Sequence, residues 1–295
     1  MAFRTVVIAN EAEIHVRQGQ LVVLQEERIS IPAEDIAVLV LEHPRIRVSA
    51  ATLAQLAVHG VATAVCDSKH LPTGILLSHN RHSRQLAATR LQLAATLPLK
   101  KRLWQQVVKS KVRNQATCLD ILEREGGDRL REYAELVRSG DTGNVEATAA
   151  RYYFPRLMPG TGRHSGAGVD RALDYGYAIV RAAVARSLVA HGLYPPLGIQ
   201  HDSQLNAFNL ADDLLEPFRP FVDLVAVKND CRTVNRESRD TIVGVLHAPC
   251  EICERQHTVL TGIAECVISF MRALKEKDAR LLKTPAHHPA QWSVE

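Results

Sequence analysis

Three short stretches of the 295-residue chain hold side chains able to do chemistry. The first is GNVEATAARYYF, 143–154, where Glu146 stands one turn before the Ala149–Ala150 pair and two turns before Tyr153. Small residues at that spacing let another helix or a ligand come close. A glutamate there is either a solvated first-turn charge favoured by the helix dipole or a carboxylate aimed into a cleft.

The second stretch is GLYPPLGIQHDSQLNAFNLADDLLEPFRPFVD, 192–223. His201 follows a Gly/Pro-rich loop, the kind of segment in which functional residues concentrate. Asp212, Asp213 and Glu216 come next, and Asp213 and Glu216, at i and i+3, share a helix face. Leu210, Leu214, Leu215 and Phe218 imply burial, so these carboxylates need a partner, either a divalent cation or an arginine. Arg219 is a candidate structural partner for Glu216. Carboxylates with one imidazole suit Mg²⁺ or Mn²⁺ better than a thiolate-seeking metal. A continuous helix from 202 to 216 would hold His201 and Glu216 about 20 Å apart. Shared ligation therefore requires a break, with Asn206 or Asn209 as the cap that supplies it.

The third stretch, HAPCEICERQH at 247–257, has a Cys-x-x-Cys flanked by histidines but no second pair at zinc-finger spacing. Cys266 falls in an apolar helical pattern, and the cysteines read as reduced and structural. No phosphate-binding glycine loop or serine-nucleophile elbow is present, which argues against nucleotide-dependent and serine-hydrolase classes.

The elements that must position these residues follow from pattern. The length suits about two domains at the usual ~150 residues each, and 46% hydrophobic content supports a sizeable core. No run approaches a membrane span, and the opening is too short for a signal-peptide core, so a cytoplasmic protein is expected. FRTVVIA, AEIHV, QLVVLQ, RISIP, DIAVLVLE and VATAVCD read as short strands. One helix interrupts them, from a Ser49 N-cap to a Gly60 stop. Pro72 to His82 reads as a linker. A long helix starts near Thr96–Pro98 and runs to Gly126–Gly127. Further helices are expected at 129–138, 143–154, 170–191, 209–226 and 256–282. The fold class is α+β: a small, mostly antiparallel N-terminal β domain with one helix (1–77), a linker and first helix (78–95), a larger all-α domain (96–283) and a flexible tail (284–295).

The charge is segregated. The net charge is +4, yet Ser68–Leu119 holds no Asp or Glu and ten basic residues, so it carries +10 and the remainder −6. Such a stretch suits a polyanion, because Lys and Arg gain by displacing counterions from a phosphate backbone. The competing reading is a solvated helix face. The basic residues of this stretch, Arg81, Arg84, Lys101, Arg102, Lys109 and Arg113 among them, are candidate nucleic-acid contacts.

Taken together, these fragments resemble the CRISPR adaptation integrase family, most closely the short form that accompanies type II systems. FRTVVIA, IPAEDIAVLVLE and CDSKHLPTG carry the likeness in the β domain; LWQQVVKSKVRNQA, EATAARYYF, ALDYGYAIVRAAVAR and GIQHDSQLNAFNLADDLLEPFRPFVD carry it in the helical domain. The resemblance implies that Glu146, His201 and Glu216 are catalytic residues holding Mg²⁺ or Mn²⁺, with Asp213 a secondary ligand, in a helical domain that also binds DNA. It implies insertion of prespacer DNA into a CRISPR array by attack of a 3′-hydroxyl at the leader–repeat junction. The implied partners are double-stranded DNA (prespacer and repeat), a second copy of the chain paired through the β domains, a small second adaptation protein completing a heterohexamer, and the type II effector; no membrane is implied. Two departures stand out: Asp170 where the family often has Asn, and Gln200 where it often has His. The alternatives are a metal-dependent nuclease or branched-DNA resolving enzyme using water as nucleophile, and a non-catalytic DNA-binding scaffold.

Overall fold

The computed structural model describes residues 2–79, 82–160, 168–231, 235–288 and 292. The first part of the chain forms β1 (Arg4–Ile8), β2 (Glu13–Arg17), β3 (Gln20–Leu24), β4 (Arg28–Pro32), β5 (Ile36–Leu41), β6 (Arg47–Val48), α1 (Ala50–His59), β7 (Ala62–Cys66) and β8 (Pro72–Leu76). Two four-stranded sheets result, in the orders β1-β5-β7-β8 and β4-β3-β2-β6. The apolar run of β5 is buried at all six positions, as a strand covered on both faces must be. Ile36 and Leu39 face a small core with Ile14, Leu21 and Leu56. Ala37, Val38 and Val40 face the main helical core, so one strand serves both.

Pairing in these sheets is mixed, with the antiparallel ladders the longer in total. β1–β5, β5–β7 and β2–β6 are parallel, while β2–β3, β3–β4 and β7–β8 are antiparallel. The β5–β7 pair is parallel because α1 returns the chain to β7 in the same direction, as a parallel crossover requires. Its ends are as expected: Ser49 Oγ accepts from the Thr52 N–H, and Gly60 takes a left-handed φ of 72°. The proline-containing PTGIL segment, expected to be linker, is β8; Pro72 opens an edge strand, where a missing N–H is tolerated.

The helical part comprises α2 (Gln85–Leu93), α3 (Leu97–Ile121), α4 (Gly127–Leu136), α5 (Val145–Leu157), α6 (Gly168–Ala190), α7 (Asn209–Leu215), α8 (Arg219–Lys228), α9 (Arg236–Val243) and α10 (Val259–Glu276). A hairpin of β9 (Pro249–Ile252) and β10 (Arg255–Thr258) precedes α10, so this part is not wholly α. The helix expected at 209–226 is broken by a 3₁₀ turn at Glu216–Phe218 containing Pro217. α6 packs centrally, and Gly176 lets Val222 of α8 approach so closely that a Cβ has no room. At the junction of sheet and helices, the buried Glu42 carboxylate meets Arg239 Nε at 2.5 Å and accepts from Tyr175 Oη at 3.3 Å.

The segment after α10 does not begin as a free tail. Ala286 exchanges two backbone hydrogen bonds with Glu251 of β9 (2.9 and 2.8 Å), and His287 is buried. Among the described residues no helix is long and apolar enough to cross a membrane.

Candidate functional site

α3 is the spine of the site. Near its start, the Lys100 ammonium donates to the Gly198 carbonyl at 3.3 Å. One turn on, the Trp104 ring meets the His201 ring edge-on at 5.9 Å. Lys111 then lies about 16 Å further along the axis than Lys100, at 1.5 Å per residue.

Glu146 owes its place to the start of α5. Asn144 takes a left-handed φ of 50°, and the Asp141 carboxylate accepts from the N–H groups of Val145 and Glu146 at 2.9 and 3.0 Å. That cap satisfies donors a helix start leaves open. The Glu146 carboxylate is not a solvated charge: its Oε1 accepts from Lys111 Nζ at 2.7 Å.

Glu216 sits where α7 gives way to the 3₁₀ turn and is 4% exposed. Arg219 Nε donates to its Oε1 at 2.7 Å. Lys111 Nζ lies 2.5 Å from Oε2, so each carboxylate oxygen of Glu216 faces its own cation. Burial pushes the Glu216 pKa up, but the Lys111 and Arg219 charges outweigh it and bring the carboxyl down to about 2. Burial likewise opposes the charge on Lys111, and Glu216 and Glu146 reverse that, holding its pKa above the usual lysine value. The charges are thus retained in a buried position because they are shared.

His201 comes from the loop between α6 and α7. Asp213, fully buried, accepts from the N–H groups of Ile199 (2.6 Å), Gln200 (3.2 Å) and His201 (3.0 Å) and meets His201 Nδ1 at 2.8 Å. This hydrogen bond, aided by the Asp213 charge against the cost of burial, raises the His201 pKa. Gly198 is required: a Cβ there would collide with the His201 carbonyl. The break that shared ligation demanded is present, but neither asparagine makes it by capping. The residue before α7 is Phe208. Asn209 donates to the Pro196 and Ser203 carbonyls at 3.1 and 3.0 Å, and Asn206 donates to Asp212 at 2.7 Å. Asp212 also pairs with Arg181.

Glu146 and Glu216 are therefore brought together around one cation, the Lys111 ammonium. His201 stands against Trp104, two turns before Lys111 on the same helix. Asp213 faces away, with its oxygens engaged by the His201 loop. Among the described residues no three His, Cys, Asp or Glu side chains are gathered tightly enough to hold a metal ion; the Lys111 ammonium lies between the two carboxylates. The donor set nevertheless fits a hard divalent ion: two carboxylates with a cation already between them, and an imidazole whose Nε2 is not bound by Asp213.

Of the candidate DNA contacts, Arg84, Lys101, Arg102 and Arg113 are exposed. Lys109 and Arg113 pair with Glu135 at 3.4 and 2.6 Å. Arg81 lies outside the described residues. Lys111 was missed as a site residue because it hides inside the basic stretch. The signal was its spacing: it sits at i+3 from the buried Val108 and i−4 from the buried Gln115, on a stripe that should be core. Asp170 is buried, and Gln200 is exposed.

A family model described as CRISPR associated protein Cas1 matches residues 5–238. The CRISPR-associated endonuclease Cas1 of Neisseria meningitidis serogroup C (strain 8013) is 40% identical over 294 residues, covering 97% of this chain and 96% of that protein. In fold, the chain is similar to a casposase bound to integration product, with a TM-score of 0.76, 16% identity, and 94% and 92% of the two chains covered. It is also similar to a chain of a Cas6-RT-Cas1–Cas2 complex, with a TM-score of 0.72 and 16% identity, covering 95% of this chain and 36% of that one.

Proposed function

The chain belongs to the CRISPR associated protein Cas1 family, and from that premise we propose that it joins DNA fragments to a CRISPR array by transesterification at a divalent-metal site formed by Glu146, His201 and Glu216. The observation that carries this reading is the pair of carboxylates bracketing one cation at 2.7 and 2.5 Å, beside an imidazole held through Nδ1.

In this reaction the 3′-hydroxyl oxygen of the incoming fragment bonds to phosphorus at the leader–repeat junction. The bond from phosphorus to the leader's 3′-oxygen breaks, and that oxygen leaves as a hydroxyl. One phosphodiester replaces another, so no nucleotide is consumed. Glu146, Glu216 and His201 Nε2 would hold Mg²⁺ or Mn²⁺, which when bound favours the attacking alkoxide and offsets charge on the phosphorane-like transition state. Asp213 acts one step back, fixing the imidazole's orientation and its Nδ1 proton. Lys111 holds the carboxylates together before the metal arrives.

Double-stranded DNA, as prespacer and as repeat, is the substrate in this account. Lys101, Arg102 and Arg84 serve the phosphate backbone without reading sequence. A homodimer fits the edge position of β1 and of β4 and the exposure of Phe3 (54%) and Ile29 (49%) beside them. The likeness to a chain of a Cas6-RT-Cas1–Cas2 complex supports a small second adaptation protein as partner; a heterohexamer with it and the type II effector are further proposed assemblies.

The test uses labelled fragments and a supercoiled plasmid carrying leader and repeat, with and without Mn²⁺. Metal-dependent covalent joining is the expected result. Cleavage without joining would favour the water-using nuclease, and DNA binding with neither would favour the scaffold.

A further inference from the structure

We infer that the segment Leu282–His287 is a positioning element of the proposed metal site, acting through Asn114 and Phe221 on the turn that carries Glu216. This rests on the metal-site reading above.

Asn114 lies on α3 one turn beyond Lys111 and is 3% exposed. Its Nδ2 donates to two carbonyls, Pro217 and Pro285, each at 2.9 Å. Its Oδ1 accepts from the His287 N–H at 3.2 Å. One side chain thus joins the residue after Glu216 to the C-terminal segment. The bond to Pro217 matters because a proline offers the turn no N–H of its own, and its buried carbonyl needs a partner from elsewhere.

The same turn is held on its other side by rings. The His287 imidazole stacks on Phe221 at 3.8 Å, and Phe221 in turn lies 6.1 Å from Phe218, the last residue of the turn. The segment is anchored independently of both contacts. Ser110 Oγ donates to the Pro285 carbonyl at 3.1 Å. The Lys283 N–H donates to Ser269 Oγ of α10 at 2.9 Å. Ala286 pairs with β9. Anchors on α3, β9 and α10 make the segment a fixed frame, and the Glu216 turn is clipped to that frame. A carboxylate that must share an ion with groups from α5 and the His201 loop gains from such preorganisation.

Trp104 offers a readout separate from activity, because its ring touches that of His201. The chain has two tryptophans. The parent for this test carries Trp292→Phe, which keeps a ring against His287 and removes an indole nitrogen with no hydrogen-bond partner among the described residues. Quenching of Trp104 fluorescence by Mn²⁺ then reports occupancy. Asn114→Ala and His287→Ala should each raise the half-quenching concentration about fivefold, the ratio expected for one buried hydrogen bond or ring contact. His287→Phe, which restores stacking, should return near the parent. Circular dichroism identifies any variant that fails to fold; if Asn114→Ala does, the His287 pair still decides. A parent that responds, with Asn114→Ala and His287→Ala both matching it, overturns this inference and leaves the metal site standing. A parent that does not respond overturns the metal site, and this inference with it.

Discussion

His201 Nδ1 and Asp213 Oδ1 lie 2.8 Å apart, and the carboxylate can only accept. Nδ1 therefore carries the proton, and in the neutral ring Nε2 keeps its lone pair for a ligand. The same carboxylate also takes three backbone N–H groups of the loop, so one buried acid sets both the place and the tautomer of the imidazole. Asp213→Asn should lower metal affinity or joining by ~10–100-fold, the usual cost of losing such a partner. Asp212→Asn, whose carboxylate faces Arg181 and Asn206 instead, should change joining little. Equal effects of the two substitutions, measured by joining rate against Mn²⁺ concentration, would refute the role given to Asp213.

Lys111 is the cation that the carboxylates share in metal-free protein. Lys111→Met should destabilise that protein by about 2–3 kcal/mol, less than the ~3–5 typical of a broken buried pair because Arg219 still pairs with Glu216. Mn²⁺ should then raise the melting temperature of the variant more than that of the parent, since a ligand that binds only the folded state stabilises it. An equal rise in both proteins would show that lysine and metal do not compete for one place.

The basic residues separate into two groups. Lys101 and Arg102 are exposed on α3, while Lys109 and Arg113 already share Glu135. Replacing Lys101 and Arg102 by Ala should weaken DNA binding and flatten its log–log salt dependence by about one unit per lost phosphate contact. The Lys109/Arg113 pair replaced by Ala should flatten it less. Salt titrations of binding by fluorescence anisotropy give both slopes, and an unchanged first slope would remove α3 from the DNA path.

His287 adds a pH dependence to stability. Burial pushes its pKa from 6.5 down to about 3, so between those values the unfolded chain binds a proton that the folded one refuses. Stability from this group is complete above the higher value and is lost as pH falls toward the lower one. Urea midpoints measured across that window should fall with pH in the parent and fall less steeply in His287→Phe. Parallel slopes would contradict the assignment.

Much of this was legible in the chain, for physical reasons that differ by element. The strands of the β domain announced themselves by β-branched runs and glycine turns, and α1 by its cap and stop. Their pairing was not legible, because the direction of β5 and β7 is set by where α1 packs rather than by either strand. Glu146 and Glu216 were visible as acids but ambiguous: a first-turn glutamate and an i+3 arginine each have an ordinary structural reading, and Arg219 is indeed a partner. The need for a break before α7 followed from helix geometry alone, although the loop is held by Asp213 and Asn209 rather than by a helix cap. Lys111 and Asn114 were lost in a stretch read for its net charge. The segment 284–288 looked unstructured because its order comes from contacts with α3, β9 and α8, which leave no periodicity behind.

The central claim is that Glu146, His201 and Glu216 hold one divalent ion. Anomalous diffraction at the manganese edge, from crystals grown with Mn²⁺, tests it most directly. The account predicts a single strong peak contacting both glutamate carboxylates and Nε2 of His201, with the Lys111 ammonium moved out of the gap. A map with no peak there, and Lys111 still bridging the two carboxylates, would contradict it.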